Sequence, residues 1–361
     1  TLDFYNRVTG NSLFLQPVSL LATGQSKLPR NCAEITNRGI EIDINADIIR
    51  TRDFTWNIAL NATHYTTKLT NLPKDAIPAH VEGLPDGTWE ANTDSWGNAG
   101  AGSQSATCYL RGIGRDWYNM YLHRYMGIDE KTGLPLYLHR VTKADHDAGK
   151  FKDTPVGGGV KTTNYALSSK WEVGSAIPDL VGGFNTSLSW KNFSLDMQFA
   201  YQLGGKFFSA DYAQLLYATT GSQSFGQMFA SKEALHNTWT PENKGAGFPM
   251  QWYPSGSNHY FQGTSANGQN WHFTDMSLFS ASYLRLKNIT ASYRAPKDFF
   301  KKIGIDYVSG LRLFASADNL FILTAAKGID PSMTAGGGYG DVDTYCFPMM
   351  RTFTLGFNLD F

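Results

Sequence analysis

The chain has 361 residues, 42% of them hydrophobic, 14% aromatic and 17% charged, and its 31 basic and 31 acidic side chains cancel to zero net charge. A charged share this far below the usual quarter argues against an ordinary soluble domain, and without a basic excess there is no electrostatic footprint for nucleic acid. No apolar run of about 18 or more residues is written, so no spanning helix is expected, whereas a barrel strand needs only about 9–11 residues of alternating polarity.

Alternation with a period of two predicts strands at 2–15 and 35–49; in the second, Ile40, Ile42, Ile44, Ala46 and Ile48 interleave with Glu41, Asp43, Asn45 and Asp47. After a tight turn at 50–53 the pattern resumes over 54–68, with Phe54, Trp56, Ile58, Leu60 and Ala62 set against Thr55, Asn57, Ala59, Asn61 and Thr63. Further strands are read at 113–128 and 134–141, joined by a short turn at 129–133, and at 181–190 and 193–203, joined by Lys191 and Asn192. The strand at 281–293 changes phase, because Leu284 and Leu286 share one face while Ile289, Ala291 and Tyr293 share the other. A β-bulge near Lys287 and Asn288 would reconcile them. Pro296 followed by Phe299, Phe300 and Ile303 at helical spacing predicts a short helix within 295–310, and strands at 311–321 and 348–361 bring the count to ten. In the last strand Phe353, Leu355, Phe357, Leu359 and Phe361 alternate with Thr352, Thr354, Gly356, Asn358 and Asp360.

A soluble antiparallel sheet also alternates, with its apolar face on a core. Two features point to lipid instead. Tight turns contrast with long connections near 72–108, 142–180, 205–280 and 325–346, and aromatics such as Phe54, Trp56, Trp190 and Phe193 crowd the tight turns. Short turns on one side, long loops on the other and aromatics at the strand ends describe an outer-membrane barrel. With the tight turns in the periplasm, the first strand runs outward, the tenth runs inward and the chain ends in the periplasm. The expected fold class is all-β, a transmembrane antiparallel β-barrel. The pattern is already under way at Thr1, so the N-terminal part of a larger barrel is expected to be missing.

The stretches 37–45 (NRGIEIDIN), 177–208 (IPDLVGGFNTSLSWKNFSLDMQFAYQLGGKFF), 283–305 (YLRLKNITASYRAPKDFFKKIGI), 310–324 (GLRLFASADNLFILT) and 351–361 (RTFTLGFNLDF) follow one another in an order that resembles the SusC-like (RagA-like) TonB-dependent transporters of Bacteroidetes. The resemblance covers nearly the whole chain. It implies a 22-stranded barrel of which this is about the last ten strands, with the family's N-terminal plug, TonB-contacting segment and carboxypeptidase-like extension having no counterpart here. It implies an importer of oligosaccharides or peptides in the bacterial outer membrane, capped by a SusD-like lipoprotein lid and driven through the plug by the TonB complex. The last segment, with Phe353, Leu355, Phe357, Leu359 and Phe361, looks like the signal read by the barrel-assembly machinery. Two readings from other classes share part of the pattern: a passive porin-like barrel without a plug, and a soluble glycan-binding β-protein with its own core.

Catalytic constellations are near misses, and neither an enzyme nor a cofactor is expected. In 157–162 (GGGVKT) a valine separates glycine from lysine, and the extended surroundings offer no helix N-terminus for a phosphate. Arg111, Gly112, Ile113 and Gly114 lack the third glycine of a dinucleotide fingerprint, and no HExxH or GxSxG occurs. His123 and His139 read as girdle or lumen residues. Asp330, Asp341 and Asp343 share one loop and read as a solvated acidic loop more readily than as a calcium site. Cys32, Cys108 and Cys346 match no zinc or redox spacing and read as unrelated thiols, with at most one bridge between loops. Trp89, Trp96, Trp252, Tyr253, Tyr260 and Trp271 fall on external connections. Their flat faces beside Asn, Gln and Asp suit stacked sugar rings, the competing role being loop packing. The polar strand faces, with Asp43, Asn45, Asn57, Asn61, Asp196 and Gln198, would line the lumen and contact the plug.

Overall fold

The computed structural model describes residues 1–78, 84–92, 108–216, 231–250, 274–296, 299–305, 307–327, 329–332, 341–342 and 349–361. In chain order the elements are β1 (Leu2–Pro17), α1 (Leu20–Thr23), β2 (Lys27–Arg50), β3 (Phe54–Asn71), β4 (Thr88–Asn92), β5 (Cys108–Gly112), β6 (Asn119–His123), β7 (Tyr125–Ile128), β8 (Pro135–Arg140), α2 (Lys143–Asp147), β9 (Gly159–Thr162) and β10 (Lys170–Ser175). They continue with β11 (Leu180–Trp190), β12 (Phe193–Leu203), β13 (Lys206–Ser209), α3 (Ala210–Leu216), α4 (Lys232–Asn237), β14 (Leu278–Ser280), β15 (Tyr283–Arg294), α5 (Phe299–Lys302), β16 (Gly310–Thr324), β17 (Asp341–Val342) and β18 (Thr352–Asp360).

Eight strands form one antiparallel wall in the order β1-β2-β3-β11-β12-β15-β16-β18. The register aligns the sequence alternation from strand to strand. One row runs Ala46, Ile58, Thr186, Met197, Ile289, Ala317, Phe353; the row nearer the tight turns runs Phe54, Trp190, Phe193, Tyr293, Leu313, Phe357. In this second row Trp190 stacks on Phe193 at 6.3 Å and Phe193 meets Tyr293 at 4.7 Å, the geometry of an interfacial aromatic belt. The opposite face is polar and self-bonded. Asn57 Nδ2 donates to both Asn45 Oδ1 and Asp47 Oδ1 at 3.0 Å, Asn288 Nδ2 donates to Asp318 Oδ1 at 2.6 Å, and the hydroxyls of Ser194 and Ser292 meet at 2.7 Å. The sheet is thus apolar on one side and polar on the other, and its apolar side is open, with Ile44, Phe193, Leu313 and Phe353 exposed. No helix among the described residues is long and apolar enough to cross a membrane.

The bulge expected at Lys287 is present. Gln198 faces Asn288 while Phe199 faces Leu286, so one extra residue sits in β15 and Leu284 and Leu286 rejoin the apolar phase of Tyr201 and Phe199. The short helix on the tight-turn side is the single turn α5, with Phe300 buried and Phe299 exposed.

Two of the ten expected strands are not in the wall. Segment 113–128 becomes a turn, β6 and β7, and segment 134–141 becomes β8, all within the connection from β3 to β11. The reason is visible in β6, where Met120, Tyr121 and Leu122 are all buried in succession, so both faces of the strand meet protein. β7 and β8 have only four and six residues, short of the roughly 9–11 needed to span a bilayer. Because the two segments drop out as a pair, the wall keeps an even count and the direction of every remaining strand.

Candidate functional site

The described parts of three long connections, from β3 to β11, from β12 to β15 and from β16 to β18, fold together beyond the wall as a crown. It contains a four-stranded sheet, β10-β6-β5-β4, and two three-stranded sheets, β14-β13-β17 and β7-β8-β9. Each of its main hydrophobic clusters joins more than one segment: Met120, Leu122 and Val173 pack with Phe208 and Ala213, and Tyr137 packs with Tyr212, Leu216, Ala234 and Phe248. Phe207 and Ala281 pack against Ala326 and Ile329 of the third connection.

Polar ties fasten the same joints. Asp275 accepts from the Tyr125 backbone N–H at 2.7 Å and from Arg124 Nε at 3.3 Å, and Trp239 Nε1 donates to the Glu130 carbonyl at 3.1 Å. Burial raises the Asp275 carboxyl above its usual range, and the bonds from Tyr125 and Arg124 oppose that rise. Glu233 accepts from Tyr212 Oη at 2.9 Å and pairs with Lys327. Arg285 of β15 pairs with Asp330 and donates to Ser332 Oγ at 2.9 Å, and both charged side chains are almost wholly buried.

Asp145, His139 and His123 of the crown are occupied by structure. Asp145 caps α2, accepting from Thr142 N at 2.8 Å and Thr142 Oγ1 at 2.7 Å and bonding His139 Nε2 at 3.0 Å. The bonds from Thr142, then that from His139, hold its carboxyl at about 2. His139 Nδ1 bonds the Leu167 carbonyl at 2.6 Å. His123 meets Ser168 Oγ at 2.7 Å and lies 4.5 Å from the Tyr165 ring; burial, with help from Lys170, lowers its pKa to about 4. Both histidines therefore sit in the crown, not in a girdle or the lumen as their strand-like contexts suggested.

The glycine run near 157 leads directly into β9, paired antiparallel with β8, so no helix begins there. Asp330 is committed to Arg285, and Asp343 lies outside the described residues. No group of three or more His, Cys, Asp or Glu is placed to hold a metal ion among the described residues. Cys32 is a free thiol, and Cys346 lies outside the described residues.

Of the six aromatics expected to bind ligand, Trp89 is buried, packing with Ala33, Leu69, Leu72 and Ala76 and edge-on to Phe14 at 5.9 Å. Its faces are spent on packing. Trp96, Trp252, Tyr253, Tyr260 and Trp271 lie outside the described residues. On the last strand Phe353, Leu355, Phe357 and Phe361 are at least 66% exposed and Leu359 is 37% exposed, forming one continuous apolar edge.

Trp171 was not singled out by the sequence pattern, yet its indole lies 4.4 Å beneath the Arg140 guanidinium in a crown cavity of about 610 Å³ that Leu84, Val141, Val156 and Glu172 also line. A larger cavity of about 750 Å³ opens on the polar wall face between Tyr5, Arg7, Asn37, Glu41, Tyr65 and Gln202. Tyr5 and Tyr65 carried a signal, since each is an aromatic in the polar phase of its strand.

The wall and crown are matched from end to end by known proteins. TonB-dependent receptor P3 of Formosa agariphila is 26% identical over 369 residues, covering 100% of this chain and 32% of that protein. TonB-dependent receptor SusC of Bacteroides thetaiotaomicron is 24% identical, covering 100% of this chain and 30% of its own length. The RagAB peptide importer in its open-open state superposes with a TM-score of 0.69 at 25% identity, over 100% of this chain and 32% of that one. The chain resembles the C-terminal part of a SusC-like (RagA-like) TonB-dependent transporter barrel. It spans about a third of the length of these relatives. No family model matches it. Within the SusC-like frame the eight strands are barrel wall, the polar face is lumen and the crown stands on the long-loop side.

Proposed function

We propose that this chain is the wall and crown of an outer-membrane, TonB-dependent importer of oligosaccharides or peptides that works with a SusD-like lid lipoprotein. The observation that carries the reading is the continuous apolar face across the wall, backed by a polar lumen face and joined to an interlocked crown. A sheet of this kind needs lipid on one side, and its open edges at β1 and β18 need further strands, since unpaired backbone is not tolerated in hydrocarbon. The N-terminal portion of the same transporter supplies those strands and the plug, and the TonB complex acts through that portion. Substrate is caught between the crown and the lid and released through the lumen when the plug is displaced. The barrel does no chemistry. Support comes from relatives called TonB-dependent receptors and from a neighbour called a peptide importer.

The test is purification of the full-length protein from outer membranes in mild detergent, with mass spectrometry of co-purifying polypeptides and small molecules. A plug-bearing polypeptide and a lipid-anchored lid support the reading, and the retained small molecule names the cargo. Recovery of the chain alone, or from the soluble fraction, sinks it. The apolar edge of β18 serves as the assembly signal in this reading, so deletion of Phe361 should lower outer-membrane levels; normal levels would remove that role.

A further inference from the structure

Three alanines of the wall carry the same small side chain in the same apolar phase. Ala291 faces Ala315 in a row bounded by Leu195 and Leu355, and Ala295, two places beyond Tyr293, donates its N–H to the Leu311 carbonyl at 2.8 Å. Ala291 and Ala315 are exposed, whereas Ala295 is buried. Arg294, in the polar phase between Tyr293 and Ala295, is exposed. The connection from β15 to β16 therefore closes over the apolar face of the wall and leaves the polar face beside it open. Its form is fixed by its own backbone. The Phe299 N–H donates to the Pro296 carbonyl at 2.9 Å, the Ile305 N–H returns to the Phe300 carbonyl at 2.9 Å, and Gly304 at φ 79° supplies the left-handed residue that this closure requires. Phe300 and Val308 are buried, while Phe299, Ile303 and Tyr307 are exposed. Phe299 and Ile303 are four positions apart, so they share one face of the turn.

We infer that this connection is a membrane foot, seated in the phospholipid headgroup layer of the leaflet on the tight-turn side. Phe299 and Ile303 reach the acyl boundary, and Lys191 and Lys302 stand beside the lipid phosphates. The inference rests on the barrel reading above, which puts lipid on the apolar face. Lipid is the occupant because the exposed patch continues a surface that lipid already covers. The Arg294 N–H donates to the Asn192 carbonyl at 2.9 Å and its carbonyl accepts from Asn192 Nδ2 at 2.6 Å, which holds the start of the connection against the Trp190–Phe193 turn. Trp190, Phe193 and Leu313 are exposed in the apolar row there. Lys191 Nζ lies 5.7 Å over the Trp190 ring at the end of that row, and the exposed Lys302 precedes Ile303 in the chain. Long-stemmed cations beside aromatic and branched side chains are suited to an interface, where the stems lie along apolar surface and the ammonium groups reach the phosphates. A foot of this kind fixes how deep β15 and β16 sit in the bilayer.

The experiment uses the full-length transporter, its native cysteines replaced, in vesicles of phosphatidylethanolamine and phosphatidylglycerol. A nitroxide is attached through Ile303→Cys or, as the wall control, through Leu355→Cys. Collisions with oxygen report lipid, and collisions with a water-soluble nickel complex report water. The oxygen-to-nickel ratio at position 303 should exceed that of a water-exposed label by about threefold or more, as it does at 355. A water-like ratio at 303, or protection from both reagents, with a lipid-like ratio at 355 would overturn the foot and leave the barrel reading standing. A water-like ratio at 355 would overturn the barrel reading and this inference with it. In a second series the label sits at Tyr307→Cys, and Phe299→Asp with Ile303→Asp should lower its ratio by about threefold while the ratio at 355 holds. An unchanged ratio at 307 would also overturn the proposal.

Discussion

The phenol of Tyr201 lies across Gly182 on the neighbouring strand and donates a 2.9 Å hydrogen bond to the Asn61 carbonyl one strand further on. A Cβ at Gly182 would stand 2.8 Å from the phenol oxygen and 2.1 Å from that carbonyl oxygen. Tyr5 covers Gly39 and Phe314 covers Gly356 in the same manner, so at three places a ring fills space that only glycine leaves open.

Gly182→Val should therefore force the strands apart at a cost of about 1–3 kcal/mol and reduce the folded, heat-modifiable form on electrophoresis. Tyr201→Phe removes one hydrogen bond, about 0.5–1.5 kcal/mol, and should assemble normally. Equal assembly of Gly182→Val and the parent would mean that this contact does not set the strand spacing.

Arg285→Ala leaves Asp330, whose side chain is only 12% exposed, without its cation. Removing one member of a buried pair costs about 3–5 kcal/mol, while removing both costs much less. The single variant should be cleaved by protease in the connection after β16 far faster than the parent, and Arg285→Leu with Asp330→Leu should be nearly as resistant. Similar cleavage of single and double variants would show that the pair does not hold the connection.

His123 ties crown stability to pH. Its folded pKa, about 4, is below the ordinary histidine value of 6.5, so the unfolded chain binds the proton more readily. The stabilisation is complete above about pH 6.5 and is lost as pH falls toward 4, approaching about 3 kcal/mol at the limit. Asp145, held at about 2, acts in the same direction but only below about pH 4. Near-ultraviolet circular dichroism during acid titration should show a loss between about pH 6.5 and 4 that His123→Gln flattens; an unchanged profile would exclude His123 as its source.

Trp89→Ala empties a packed site and should cost about 3–5 kcal/mol of crown stability without changing ligand affinity in the folded fraction. Trp252→Ala with Trp271→Ala should do the reverse, weakening ligand capture while melting and assembly stay unchanged, as calorimetry on the purified transporter would show. Lost binding in Trp89→Ala alone would return that residue to the binding surface.

The wall was legible because each of its strands sits between unlike solvents, and a period of two survives in residues such as Ile40 to Ile48 and Phe353 to Phe361. Even the Lys287 bulge could be read, since a strand that keeps one face apolar through the phase change between Leu286 and Ile289 must carry an inserted residue there. The crown was not legible in that way. Its strands are short and packed on both faces, so Met120, Tyr121 and Leu122 lose the alternation while 134–141 keeps enough of it to resemble wall. Trp89 shows the same limit from the ligand side: an aromatic in a long connection looks alike whether it stacks on a sugar or on Phe14. Pairings such as Arg285 with Asp330 join residues 45 positions apart and leave no local mark.

The crown also bears on how such proteins diversify. Asp275 holds Arg124, Glu233 holds Lys327, and Val173 packs with Phe208, so each connection carries part of another's interior. A single loop grafted from a relative would arrive with the wrong counter-charges and half a core. An exchange that keeps these contacts intact has to carry all three connections as one piece.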